Sequence, residues 1–116
     1  MKPEQIEEIK NYVEKHFTEK GIIEYFAKKF FYTKTNVCIE FKSKTGISLN
    51  HYIRQKRLEK MRAYLLDGMH VMEAMERVGY NSVGSYYWLI PKYKEYFGEK
   101  PIETLRRAKG AKNENS

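Results

Sequence analysis

Phe30-Phe31-Tyr32-Thr33-Lys34-Thr35-Asn36-Val37-Cys38-Ile39-Glu40-Phe41 is the stretch whose pattern organises the rest of the chain. Phe31-Tyr32 is the only candidate turn before Thr33, and Thr33 reads as the N-cap of a helix running to about Lys44. Val37 and Phe41, four residues apart, form the inward pair of that helix. Lys34, Thr35, Cys38 and Lys42 fall largely on the opposite side. Gly46 ends the segment. Upstream, Ile22 to Phe30 predicts a short helix with Ile23, Phe26, Ala27 and Phe30 turned inward.

Working outward, Pro3 to Phe17 predicts a first helix. Pro3 suits a first helical position, and Glu4, Glu7 and Glu8 sit favourably near the positive end of the helix dipole. Ile6, Ile9, Val13 and Phe17 give it one apolar stripe, and Gly21 marks a break. Ser48 caps a longer helix through Leu66, stopped by Asp67-Gly68. Its buried side is Leu58, Met61 and Leu65, with Arg54, Lys56, Arg57, Lys60 and Arg62 on the rest. At about 1.5 Å per residue it is roughly 28 Å long, a rigid spacer. After Gly68 the short helix, turn and second helix return in outline: Val71, Ala74, Met75 and Val78 make an apolar face, Gly79-Tyr80-Asn81 a turn, and Ser82 a cap. Pro101 opens a last short helix through Arg107. Short helices in pairs, the second of the first pair with a basic outer face, fit helix-turn-helix units. The domain reading is therefore residues 1–47 as a first helix-turn-helix subdomain, 48–66 as connecting helix, 67–107 as a second subdomain and 108–116 as a flexible tail.

The chain has 116 residues and a net charge of +7, with 41% hydrophobic and 32% charged residues, a soluble globular composition. Residues 1–27 carry a net −2, residues 28–66 a net +8 and residues 67–116 a net +1. A clustered basic stretch is the electrostatic footprint expected of a nucleic-acid binder, with a merely solvated lysine-rich face as the other reading. The longest apolar run, Tyr86 to Ile90, is far short of the ~20 residues of a membrane span. A single cysteine makes no internal disulfide, and the start has no apolar signal region, which points to a reducing cytoplasmic setting.

No catalytic constellation, cofactor motif or metal motif is present, so the chain is not read as an enzyme. His16, His51 and His70 are scattered, and no glycine-rich phosphate loop occurs. Cys38 lies beside basic residues that lower a thiol pKa, which suggests a redox sensor, against the plainer reading of a half-buried packing residue without a resolving partner. Met69, Met72 and Met75, three apart, read as core filler. Of the run Tyr86-Tyr87-Trp88, Trp88 reads as core under the second unit, because a small domain needs its large side chains inside.

Four motifs in order carry a family resemblance: Ala27 to Thr33 followed by Phe41 to Gly46, Tyr52 to Met61, Arg77-Val78-Gly79-Tyr80-Asn81, and Tyr96-Phe97-Gly98-Glu99-Lys100-Pro101. The chain, from about Ile6 to Arg107, resembles the DNA-binding domain of AraC/XylS-type bacterial transcription regulators. The resemblance implies an all-α fold of about seven helices, two helix-turn-helix subdomains bridged by a long helix, each unit's second helix entering a major groove. Adjacent major grooves on one face of a duplex lie about 34 Å apart, close to the span of the connecting helix with its turns. With no length left for a sensor domain, the expectation is a stand-alone regulator or an excised fragment.

The chain departs from the family pattern where DNA is read. Cys38 and Ile39 stand where the family usually places polar or basic groups, and Glu40 where it usually has an apolar one. Ile39 still suits a thymine methyl. The second unit is longer than the pattern between Gly79 and Gly98, and Pro91 falls within the expected reader helix. Either a helix runs from Ser82 to Ile90 and Pro91 starts another, or the added length lies in the turn and Pro91 within the reader.

The resulting expectation is sequence-specific binding of double-stranded DNA by a transcriptional regulator, a monomer without membrane attachment, with RNA polymerase as a further partner by resemblance. The candidate DNA-contacting residues are Lys34, Thr35, Asn36, Cys38, Lys42 and Lys44 on the first unit, Arg54 on the connector, and Ser82, Ser85 and Lys92 on the second unit. Arg57 is expected to bond within the protein and brace the connector. The alternative is a degenerate helix-turn-helix module that binds a protein partner through the aromatic stretch around Trp88.

Overall fold

Thr33 accepts a hydrogen bond from the backbone N–H of Asn36, Ser48 from that of His51 and Ser82 from that of Ser85, each at 3.1 Å. These side chains satisfy amides that a helix start leaves without an internal partner. They open three of the seven helices in the computed structural model, which describes residues 1–114. In chain order the helices are α1 (Pro3–His16), α2 (Ile22–Phe30), α3 (Lys34–Thr45), α4 (Leu49–Leu66), α5 (Val71–Arg77), α6 (Val83–Phe97) and α7 (Pro101–Glu114). Among the described residues there is no strand. The chain forms two compact units, Met1–Arg57 and Leu58–Ser116, and their boundary falls inside α4.

The first unit closes over Ile6, Ile9 and Val13 of α1, Ile22, Phe26 and Ala27 of α2, Val37 and Phe41 of α3, and Leu49 and Ile53 of α4. Val37 and Phe41 have no exposed surface, so the expected inward pair of α3 is the observed one. At the end of α1, Arg57 donates from Nε to the carbonyl of Phe17 at 2.6 Å and from a terminal nitrogen to the carbonyl of Glu19 at 2.9 Å. It braces the connector as expected.

The second unit packs Leu58, Met61 and Leu65 of α4 with Val71, Ala74 and Met75 of α5, and with Val78, Leu89, Tyr93 and Leu105. Tyr93 and Thr104 link α6 to α7 through a buried hydroxyl pair 2.8 Å apart. Thr104 donates onward to Glu99 at 3.0 Å, which leaves the Tyr93 hydroxyl as donor to Thr104. Glu99 in turn receives a two-pronged bond from Arg107, at 2.9 and 2.6 Å. Arg62 lies 5.3 Å over the Phe97 ring, an aromatic partner for a cation whose Nε is buried without a hydrogen bond.

The repeat seen in outline is one of geometry. In the first unit Phe31 is left-handed (φ 60°) and the N–H of Tyr32 bonds the carbonyl of Ala27 at 2.9 Å. In the second unit Gly79 is left-handed (φ 99°) and the N–H of Tyr80 bonds the carbonyl of Met75 at 2.9 Å. The same turn is thus made once with glycine, which adopts this backbone freely, and once with a bulky aromatic, which does not.

Three expectations change, and one of two open placements is the observed one. Trp88 is not core: it is 43% exposed and Tyr87 is 72% exposed, and of the three neighbouring rings only Tyr86 leans on the core. Successive helical residues are about 100° apart, so with Leu89 and Tyr93 facing in, Tyr87 and Trp88 must face out. Met75 is buried and Met69 partly so, but Met72 is exposed, so the methionines are not one core stripe. Of the two placements open for Pro91, the one within the helix is observed: α6 runs through Pro91, which lies on its exposed side. α7 continues beyond Arg107 through Lys109 to Glu114, and residues 115 and 116 lie outside the described residues.

Candidate nucleic-acid interface

α3 presents the larger group of candidate contacts. Lys34, Thr35, Asn36, Lys42 and Lys44 are exposed, and Ile39 is 59% exposed between them. The inner anchors Val37 and Phe41 fix the rotation of the helix, which is what turns Thr35, Asn36, Ile39 and Lys42 outward. Lys42 and Lys44 make no ion pair among the described residues, and in the last turn they sit favourably at the negative end of the dipole. Lys34 lies 3.5 Å from Glu24. Cys38 is half-buried, and burial, with the Glu24 charge adding to it, pushes its thiol above the ordinary value. A raised thiol pKa means less thiolate, which fits the plainer reading of a half-buried packing residue.

The basic middle segment is partly neutralised by the acidic start of the chain. Lys29 pairs with Glu8 at 2.6 Å and Lys56 with Glu14 at 2.6 Å, and Lys56 also lies 5.5 Å over the Tyr52 ring. Lys56 holds the Glu14 carboxyl below its usual range, and Glu8 raises the Lys29 ammonium. Arg54, half-buried on α4, reaches the His51 ring nitrogen at 3.2 Å. Glu40, noted for its unusual position, accepts from the Met1 amino group at 2.9 Å. The charge pattern along the sequence therefore overstates the positive field that the folded first unit presents.

On the second unit, Ser82 and Ser85 occupy the start of α6 with their hydroxyls 2.8 Å apart, committed to the cap. Lys92 is half-buried two turns later, 3.8 Å from Glu95. The outer face of α6 is instead apolar: Val83 is 71% exposed, followed by Tyr87, Trp88 and Pro91. Gly84 adds no side chain between them, and nothing lies within 4 Å of where its Cβ would be. This face borders a groove of about 690 Å³ between α6 and the starts of α5 and α7, lined by Met72, Val83, Tyr87, Pro91 and Ile102, with Lys100 on its wall. Val83 and Tyr87 are not among the candidate contacts read from the sequence. For Tyr87 the signal is the aromatic run itself, which is too long to be inward on one helix.

Among the described residues no group of three His, Cys, Asp or Glu stands where it would hold a metal ion, and no helix is long and apolar enough to cross a membrane. Two helix-turn-helix turns, each followed by a capped helix with an exposed outer face, define the fold of a DNA-binding regulator. Residues 26–107 match the family model described as a helix-turn-helix domain, and the chain belongs to that family, the AraC type of DNA-binding transcription regulator. The structure is similar to the C-terminal domain of AraT, a response regulator from Geobacillus stearothermophilus, with a TM-score of 0.76 and 25% sequence identity over 91% of this chain and 86% of that one. It is also similar to the C-terminal domain of the two-component response regulator yesN from Fusobacterium nucleatum subsp. nucleatum, with a TM-score of 0.73 and 29% identity over 85% of this chain and 95% of that one. No curated protein matches the chain in sequence.

Proposed function

We propose that the chain binds double-stranded DNA sequence-specifically and regulates transcription, with α3 reading base edges in a major groove. The outer face of α3 carries this reading: short polar groups at its start, Thr35 and Asn36, are followed by Ile39 and Lys42 on a helix locked from below by Val37 and Phe41. A reader helix meets base edges with its N-terminal residues. Asn36 has the donor and acceptor to pair with adenine, while Lys42 and Lys44 suit phosphates. RNA polymerase is the protein partner that regulation by this family implies.

An electrophoretic shift against random and genomic duplexes at two salt concentrations tests the reading. Roughly four phosphate contacts give a log–log salt slope of about −3.6 for B-DNA. Competition by random DNA should be weaker than by the preferred duplex. Exposed rings at Tyr87 and Trp88 favour a second reading, a module that docks on a protein. A salt-insensitive or absent shift would support it against the first.

A further inference from the structure

We infer that the second unit reads thymine methyl groups through the outer face of α6, with Val83 and Tyr87 as the specificity-determining residues. This rests on the DNA-binding reading above and adds the base class that the second unit selects.

The two reader helices differ in chemistry directly after their caps. The third position is polar in both, Asn36 and Ser85, but the Ser85 hydroxyl is held by the Ser82 cap. After its cap, α3 exposes Lys34, Thr35 and Asn36; after its cap, α6 exposes Val83 and Gly84. One turn on, α6 presents the Tyr87 ring, with Trp88 beside it 6.1 Å from Tyr80. In the major groove the only large apolar feature of a base edge is the thymine C5 methyl. Val83 has no donor or acceptor in its side chain and cannot pair with a guanine, adenine or cytosine edge. A helix led by valine and a tyrosine ring therefore gains most against thymines.

Two further features fit a nucleic acid rather than an apolar partner. Gly84 leaves the backbone bare at the first turn of α6, which permits close approach of a base edge. The apolar strip is flanked by cations: Lys94 on α6 and Lys100 at the start of α7 make no ion pair among the described residues. An apolar centre with lysines at its margin matches methyl groups between two lines of phosphates, since phosphate contacts position and base contacts specify.

The test uses deoxyuridine, which differs from thymidine only by that methyl. Preferred duplexes are first selected from a random pool with the full chain, and each thymine is then replaced singly by deoxyuridine. Binding should fall about fourfold for each methyl that α6 contacts. Those penalties should shrink towards onefold with Val83→Ala or Tyr87→Ala, and persist with Tyr87→Phe, which keeps the ring. Both residues are exposed, and an unchanged melting temperature confirms that each variant is folded. Selected DNA that binds with no deoxyuridine penalty, or with penalties that neither alanine variant alters, overturns thymine readout by α6 and leaves DNA binding standing. Failure to select any duplex, with the chain folded, overturns both and returns the aromatic face to a protein partner.

Discussion

Arg57 donates through Nε to the carbonyl of Phe17 at 2.6 Å, a bond across forty residues that ties α4 to the end of α1. The second bond, to the Glu19 carbonyl, makes the guanidinium a cap for the turn after α1. Hydrogen bonds from a charged donor contribute about 1.5–3 kcal/mol. Arg57→Met keeps the stem and removes the donors, so it should lower stability by about that amount in urea unfolding. Arg57→Lys should recover only part, because one ammonium lacks the fork that reaches both carbonyls. An unchanged midpoint for Arg57→Met would mean the brace contributes nothing.

Phe31 occupies, at 95% exposure, the backbone position that Gly79 occupies in the second unit. A left-handed conformation costs an L-residue about 1–2 kcal/mol, against about 0.4–1 kcal/mol for glycine's greater freedom in the unfolded chain. Phe31→Gly loses almost no packing and should therefore raise the melting temperature slightly, by up to about 1 kcal/mol in stability. A lower melting temperature would show that the ring stabilises the turn in some other way.

Glu14, Glu19 and Glu24 all have carboxyl pKa values held below 4.5, by hydrogen bonds from Lys56, from Tyr12 and from the Glu24 backbone respectively as the largest causes. A depressed folded pKa contributes stability that is present above 4.5 and is lost as pH falls through the lower folded value. The denaturation midpoint should accordingly be level above about pH 5.5 and fall below pH 4.5. Glu14→Gln should flatten part of that fall. A midpoint that holds constant down to pH 3 would contradict these pairings.

Lys42 and Lys34 should differ in how salt affects them. Lys42 makes no ion pair among the described residues, so on the proposed reading it meets a phosphate directly and Lys42→Ala should make the salt slope shallower by about 0.9. On the same reading Lys34 has to leave Glu24, 3.5 Å away, which then recruits a cation from solution and offsets much of the ion release. Lys34→Ala should change the slope clearly less, and Glu24→Gln should make it steeper. Anisotropy titrations at four salt concentrations measure this, and equal slopes for the two alanine variants would sink the exchange.

Caps and inward pairs were legible because they depend on local geometry. Thr33, Ser48 and Ser82 each bond an amide three residues on, and Val37 and Phe41 are four apart, so neighbours along the chain suffice to place them. The family motifs supplied the order of the units. Less legible was whatever needed two distant segments at once. Glu8 with Lys29 and Glu14 with Lys56 look like separate acidic and basic stretches until folding interleaves them. Pro91 leaves two placements open, a break or a position within the reader, because only its missing N–H is visible in the sequence. Burial of Leu89 and Tyr93 on either side holds the helix through it. Trp88 reads as core by size, yet its register is set by those same two residues.

The division within α4 bears on how this chain can be cut or recombined. Severing it at the turn after α3 would take Leu49 and Ile53 away from the first core. Severing it at Gly68 would take Leu58, Met61 and Leu65 away from the second. Neither turn beside the long helix is a seam, although both look like one. Chimeras that exchange one unit for a relative's should therefore join within α4, between Arg57 and Leu58, where a helical backbone continues whatever side chains it carries.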